Sequence, residues 1–243
     1  MRLIILVLLS LLLVRCNQEK EINGKLILEK TIRQHDSLDL WSTTHLNIHI
    51  QEPRISNPQR YSILKLNNAT NAFSLSRNKE QHIAEYIIDN NGANLVLLDG
   101  KIETDTLLIK KYRLDASRNT GYREFYQLLY GLPMSLDNAL KEITHTSESI
   151  FKGEECYKLE IELAKPVISK YWNLFISKSN MEVKGIEIIS PDKPDQGERI
   201  YFEESILING IKLPRMRHWY ELKDNKYTGS DLIIKEVLDE LSK

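Results

Sequence analysis

Short runs of alternating apolar and polar residues, separated by turn signals, constrain the fold of this chain most. Residues at 67–68, 90–92 and 99–101 are of the types that form turns. A spacing of roughly 10 to 15 residues between turn signals predicts an antiparallel meander rather than alternating strand and helix units. In the first half, the predicted strand faces carry Leu46, Ile48 and Ile50; Tyr61, Ile63 and Lys65; Phe73 and Leu75; and Ile83, Tyr86 and Ile88.

The second half of the chain carries clearer hairpin signals. The Asn209-Gly210 pair between apolar residues is the strongest of them, because both positions tolerate the backbone of a tight hairpin turn. Strands are predicted at residues 143–151, 156–163, 171–177, 182–189, 199–207, 213–222 and 227–234.

Two segments have helical periodicity. Residues 25–34 predict a short helix. A second helix has one apolar stripe and ends at residues 131–133, where glycine and proline form a stop signal. The stripe is expected to pack against the concave side of a sheet, with ligand contact as the alternative. It consists of Tyr122, Phe125, Tyr126, Leu129 and Tyr130. The predicted fold class is therefore mainly β with inserted helices (α+β).

The first residues are typical of an export signal. Arg2 precedes an apolar run over residues 3–14, which ends at Arg15 and Cys16. A membrane-spanning helix needs about 20 apolar residues, so this run is too short to be one. The prediction is a signal peptide at 1–15, a tether at 16–24 and a single domain at 25–243.

Residues 13–16 (LVRC) resemble the cleavage motif of bacterial lipoproteins, in which the cysteine receives a diacylglycerol. Arg15 departs from the motif, because a small residue is expected directly before the cysteine. The resemblance implies lipid attachment at Cys16, with an uncleaved short anchor or soluble export as the alternatives. Each alternative takes the domain out of the cytoplasm.

Charge and composition exclude one class of partner. Lys and Arg number 33 against 34 Asp and Glu, so the chain has no basic excess for binding nucleic acid. The short basic segment at 215–218 is interpreted as a solvated strand face. With 42% hydrophobic residues, the chain can bury a full core.

The sequence contains no catalytic or metal-binding signature. Cys156 is the only cysteine besides Cys16, and the alternation around it favours an ordinary strand residue over a nucleophile. His45 and His49 are about 13 Å apart if their segment is a strand, which is too far to share one ion. Phosphate-binding loops and hydrolase motifs are absent from the sequence. No cofactor, metal or catalytic residue is predicted.

Four motifs carry a family resemblance. They are residues 126–134 (YQLLYGLPM), 151–153 (FKG), 208–214 (INGIKLP) and 219–220 (WY). Together they resemble an uncharacterised family of exported bacterial lipoproteins, a domain of unknown function. That family is similar in predicted architecture to lipoprotein carriers of the LolA/LolB type. The resemblance implies a curved antiparallel sheet that forms an open half-barrel, with helices on its concave side. It implies no activity.

Two functional hypotheses follow. The first is a periplasmic lipoprotein, anchored to the outer membrane by its lipid, that binds a lipid or another hydrophobic molecule on its concave face. The second is a structural or interaction lipoprotein of the cell envelope whose concavity is filled by its own helices; an enzyme is a distant third. The residues predicted to contact the ligand are Tyr126, Tyr130, Leu132, Met134, Trp172 and Trp219.

Overall fold

A computed structural model describes residues 22–193 and 195–237 of the chain. The predicted signal peptide, Cys16 and most of the predicted tether lie outside the described residues. Within them, no helix is both long enough and apolar enough to cross a membrane.

The described residues form one antiparallel sheet of twelve strands, in the order β5-β4-β3-β2-β1-β12-β11-β10-β9-β8-β7-β6. Strands that follow each other in the chain are neighbours, except that β5 and β6 lie at opposite edges of the sheet; at its centre β1 pairs with β12. The strands are β1 His45–Gln51, β2 Tyr61–Asn67, β3 Phe73–Lys79, β4 His82–Ile88, β5 Asn94–Leu98, β6 Leu140–Phe151, β7 Glu154–Val167, β8 Ser169–Ser177, β9 Val183–Ile189, β10 Gly197–Ile208, β11 Ile211–Glu221 and β12 Tyr227–Glu236.

The helices pack on the concave side of this sheet, which confirms the predicted fold class. They are α1 Gly24–His35, α2 Thr106–Tyr112, α3 Asn119–Tyr130 and α4 Leu136–Ala139. Two short 3-10 helices lie at Trp41–Thr43 and Ala116–Arg118. The predicted helix at 25–34 and the predicted aromatic helix correspond to α1 and α3.

Alternation predicts the buried face of β1 correctly and that of β2 incorrectly. Leu46, Ile48 and Ile50 are buried, as predicted. In β2, by contrast, the buried positions are Ser62, Leu64 and Leu66, so the predicted face of Tyr61, Ile63 and Lys65 is wrong by one residue. The reason is chemical: Ser62 is buried because its hydroxyl donates to the carboxylate of Glu52, a partner that the local pattern does not reveal.

Cys156 lies on the other face of the sheet, in a small cluster with Phe151 and Phe175. The two phenylalanine rings stack with their centroids 3.9 Å apart. Burial, with a smaller contribution from Glu154, raises the pKa of the Cys156 thiol to about 11. The thiol therefore stays protonated, which favours the structural interpretation of this residue.

Candidate functional site

Helix α3 crosses the concave face of the sheet. At its first residue, the buried Asn119 side chain donates to the carbonyl oxygens of Ile87 and Leu95, at 2.8 and 3.0 Å. At its end, Gly131 lies against the indole ring of Trp41, and a Cβ atom there would overlap that ring. These contacts hold both ends of α3 in place.

The apolar stripe of α3 meets aromatic side chains from distant strands. Tyr122 contacts Tyr86 of β4 with ring centroids 4.9 Å apart, and Phe125 contacts Trp219 of β11 at 6.3 Å. Tyr126 and Tyr130 are 5.7 Å apart. Because β4 and β11 lie on opposite sides of the central β1–β12 pair, α3 bridges the two halves of the sheet.

All six residues predicted to contact a ligand belong to one buried apolar cluster. Trp172 lies apart from the other five along the sheet, on β8, where it pairs with Ile161 and Ile188 of the neighbouring strands. None is more than 7% exposed, and their role in ligand contact stays a prediction. The other five lie on α3, in the loop after it, or on β11: Tyr126, Tyr130, Leu132, Met134 and Trp219.

A buried carboxylate lies beneath the middle of α3. Glu52, directly after β1, is 1% exposed. The Arg77 guanidinium approaches it with two nitrogens, at 2.9 and 3.1 Å. The Tyr126 hydroxyl donates to the same carboxylate at 3.1 Å and also contacts Arg77. Further donors are Ser62 at 2.7 Å and Arg60 at 3.1 Å.

These partners determine the charge of Glu52. Burial raises the pKa of its carboxyl, but Arg77, Arg60 and the Ser62 hydrogen bond outweigh burial, so the pKa is lowered. Glu52 is therefore a carboxylate at neutral pH. Burial also raises the pKa of Tyr126, which keeps its hydroxyl protonated and able to donate.

A second buried ion pair lies next to the first. The Asp231 carboxylate of β12 accepts from Arg54 at 2.7 Å and from the Trp219 indole nitrogen at 2.8 Å. Burial and the nearby Glu52 charge raise the pKa of Asp231. Trp219 is thus oriented by a hydrogen bond as well as by its contact with Phe125.

A lysine lies close to the arginines at this end of the concave face. Lys79, two residues after Arg77, has its pKa lowered to about 8 by burial and by the charges of Arg77, Arg60 and Arg113. Burial is the larger cause, and the neighbouring guanidinium groups add to it.

Arg217 contradicts the interpretation of residues 215–218 as a solvated strand face. Its side chain is fully buried, with the guanidinium carbon 3.9 Å from the centroid of the Tyr130 ring. The physical reason is the alternation of side chains along the strand. Arg217 and Trp219 are two residues apart and both face the concave side of β11, whereas His218 between them is only partly buried.

The sequence analysis missed the charged residues of this site, although a signal for them exists. Arg77 continues the buried alternation of Phe73 and Leu75, and Asp231 stands two residues before the buried Ile233. When a charged residue occupies a strand position at which the alternation predicts a buried side chain, we expect that charge to be buried and paired. Glu52 gives no such signal, because it follows the end of β1.

The described residues contain two shallow pockets away from the six predicted residues, with volumes of about 240 and 320 Å³. The first includes Arg60 in its lining, and the second includes Phe151 and Phe175. Among the described residues, no group of three His, Cys, Asp or Glu side chains is arranged to hold a metal ion.

Comparison with known protein families decides the family of the chain. A family model described as "Family of unknown function (DUF6503)" matches residues 2–236. The chain belongs to the DUF6503 family. No curated protein matches this DUF6503 chain.

Solved structures resemble the DUF6503 chain in fold. One is a domain from Vibrio parahaemolyticus with the provisional name outer membrane lipoprotein-sorting protein. It has a TM-score of 0.51 and 10% identity, and the match covers 88% of this chain and 93% of that domain. A LolA superfamily protein from Nitrosomonas europaea has a TM-score of 0.49 and 11% identity, with 90% and 95% of the two chains covered. The match to the Vibrio parahaemolyticus domain confirms the predicted architecture, an open antiparallel sheet with inserted helices.

Proposed function

We propose that this protein is an envelope lipoprotein that binds a hydrophobic molecule, such as an acyl chain, between α3 and the concave face of its sheet. The observation that carries the proposal is the apolar cluster between the concave face and the helices that cover it; among the described residues no second sheet covers that face. Apolar concave surfaces of this kind are the usual sites of hydrophobic ligands.

The similar fold supports this proposal. The Vibrio parahaemolyticus domain is named for lipoprotein sorting, and it spans nearly the same length of chain. We propose a lipid-like ligand for this chain, together with attachment to the outer membrane through a lipid on Cys16 and a position facing the periplasm.

The way α3 is held is compatible with an entering ligand. Asn119 and Tyr126 form its hydrogen bonds to the sheet and to Glu52. Tyr122 and Phe125 contact the sheet only through their aromatic rings. An acyl chain can replace apolar contacts at little net cost, because burial of its own surface contributes about 25 cal/mol per Å².

A second candidate function is supported by one observation. The six predicted ligand residues are at most 7% exposed, so the helices already fill the concave face. A structural or interaction lipoprotein with a self-filled concavity would have this arrangement and would bind no ligand.

Photolabelling separates the two candidates. Membranes containing the full chain are exposed to palmitate bearing a diazirine, irradiated, and digested with trypsin. Cleavage after Arg123 and Lys141 gives one peptide, 124–141, that contains four of the six predicted residues. We expect label in 124–141 and in 218–223, which carries Trp219, and we expect excess palmitate to remove it.

The matched control is tryptic peptide 55–60, none of whose residues belongs to the buried apolar cluster. Equal labelling of this peptide, or no competition by palmitate, would favour the self-filled alternative. The anchor is tested separately by metabolic labelling with a palmitate analogue, which should mark the wild type and leave Cys16→Ser unmarked. Equal labelling of both would refute lipid attachment at Cys16.

A further inference from the structure

Arg217 is a buried cation whose hydrogen-bonding capacity is only partly used. Its Nη1 atom donates to the carbonyl oxygen of Pro214 at 2.9 Å. Its Nε and Nη2 atoms are buried and have no acceptor among the described residues. Nε and Nη2 form one edge of the guanidinium, and that edge matches the two oxygens of a carboxylate or phosphate.

The neighbouring carboxylate does not occupy this edge. Asp231 lies opposite Arg217 in the β11–β12 pair, but its oxygens accept from Arg54 and Trp219. The Tyr130 hydroxyl, on the ring that stacks against Arg217, is also buried without a partner among residues 22–193 and 195–237. Two buried donor groups therefore lack an acceptor among the described residues.

The charges around Arg217 favour an anion as that acceptor. Two carboxylates of the concave face, Glu52 and Asp231, are in contact with arginines there. Burial raises the pKa of a third carboxyl at this end of the concave face, that of Glu198. Against these stand the guanidinium groups of Arg54, Arg60, Arg77 and Arg217.

We propose that the ligand is an anionic amphiphile, whose carboxylate or phosphate oxygens bind the Nε and Nη2 edge of Arg217 while its chain lies along the aromatic surface of α3. This inference rests on the proposed function, because it specifies the ligand of the same site. The Tyr130 hydroxyl supplies a further donor to the headgroup. A buried cation without a partner is costly to a fold, and an anionic ligand removes that cost.

The test compares two ligands of equal chain length, palmitate and the neutral hexadecanol. The full chain is held in nanodiscs, and each ligand competes with diazirine-bearing hexadecanol for the labelling of residues 124–141. We expect palmitate to compete at about tenfold lower concentration than hexadecanol, because charge-assisted hydrogen bonds are among the stronger polar contacts. Inorganic phosphate is a third competitor, and we expect it to be ineffective because it lacks a chain.

Two variants and one control locate the effect. Arg217→Met should make palmitate and hexadecanol equally effective, with a melting temperature equal to or above that of the wild type. Arg217→Lys keeps the charge without the planar edge and should also lose the preference. Arg215→Met, two residues away on the same strand, where the arginine is partly exposed and paired with Glu204, should behave as the wild type.

Each outcome has one meaning. Reporter labelling of 124–141 that neither chain ligand competes away would refute the proposed function and, with it, this inference. Competition by both ligands at equal concentrations in the wild type would overturn the inference and leave the proposed function intact. Phosphate competing as well as palmitate would overturn the assignment to an amphiphile. Unchanged selectivity with a lower melting temperature in Arg217→Met would indicate a structural arginine.

Discussion

Glu52 accepts hydrogen bonds from four side chains, those of Arg60, Ser62, Arg77 and Tyr126. These partners come from β2, β3, α3 and the loop before β2. The carboxylate therefore links the helix to the sheet at a point where a purely apolar core would have no directional contacts. Buried charges of this kind are stable only when every partner is present.

Replacement of Glu52 tests this dependence. Glu52→Gln leaves the buried Arg77 without its counterion, so we expect the free energy of unfolding to fall by about 3 to 5 kcal/mol. Urea denaturation followed by circular dichroism measures the change. Glu85→Gln on β4 is the matched control, and a surface substitution of this type should stay within about 0.5 kcal/mol. An equal, small loss in both variants would contradict the account of the network.

His35 predicts a pH dependence of stability. Its Nε2 accepts from the Val183 amide, and its Nδ1 lies 2.8 Å from the Lys212 carbonyl oxygen, which fits a neutral ring. Burial lowers the pKa of His35 below its ordinary value of 6.5. Between the two values the unfolded chain binds more protons, so this contribution to stability is complete above pH 6.5 and is lost as the pH falls below it.

The measurement is the urea midpoint at pH 7.5 and at pH 5.5 for the wild type and for His35→Gln. We expect the wild type to lose more stability than the variant over this interval. The wild type is compared with the variant because other groups also change stability with pH. The lowered pKa of His218 acts in the same direction as that of His35, and the raised pKa of Asp231 acts in the opposite direction. Parallel pH profiles for the two proteins would refute the role of His35.

At the scale of elements, the side chain of Asn119 holds the beginning of α3 against the sheet. Asn119 donates to carbonyl oxygens of both β4 and β5. Asn119→Ala removes both hydrogen bonds, and we expect faster hydrogen exchange in residues 124–141 because the helix is released from the sheet. The neighbouring Thr120 is exposed, so Thr120→Ala is the control. Equal exchange rates in the two variants would contradict this account of how α3 is fixed.

A helix or turn can be predicted from the sequence when the pattern of its own residues is sufficient to determine it. The stripe of α3 and the Asn209-Gly210 turn involve neighbours within a few residues, so their physics is local. The face of β2 is different, because Ser62 is buried by a hydrogen bond to Glu52 and its neighbours Tyr61 and Ile63 are the more apolar residues. Arg217 likewise is buried by Tyr130, which comes from a separate helix.

At the scale of the whole molecule, the sheet consists of two meanders that meet at β1 and β12. Each meander is predictable from its turns. The junction is not, because the pairing of Ile50 with Ile233 joins distant parts of the chain and no local signal specifies it. The charged residues lie at this junction, with Glu52 following β1 and Asp231 on β12. The apolar cluster was therefore predictable from local patterns, whereas its charged residues were not.

The central claim is that a hydrophobic molecule binds between α3 and the concave face of the sheet. Tryptophan fluorescence tests it most directly, because Trp172 and Trp219 lie on that face and bromine atoms quench nearby indole rings. The full chain in nanodiscs is titrated with brominated palmitate. We predict saturable quenching that unbrominated palmitate reverses and that the double variant Trp172→Phe/Trp219→Phe largely loses. Unchanged fluorescence in the wild type, or undiminished quenching in the double variant, would contradict the claim.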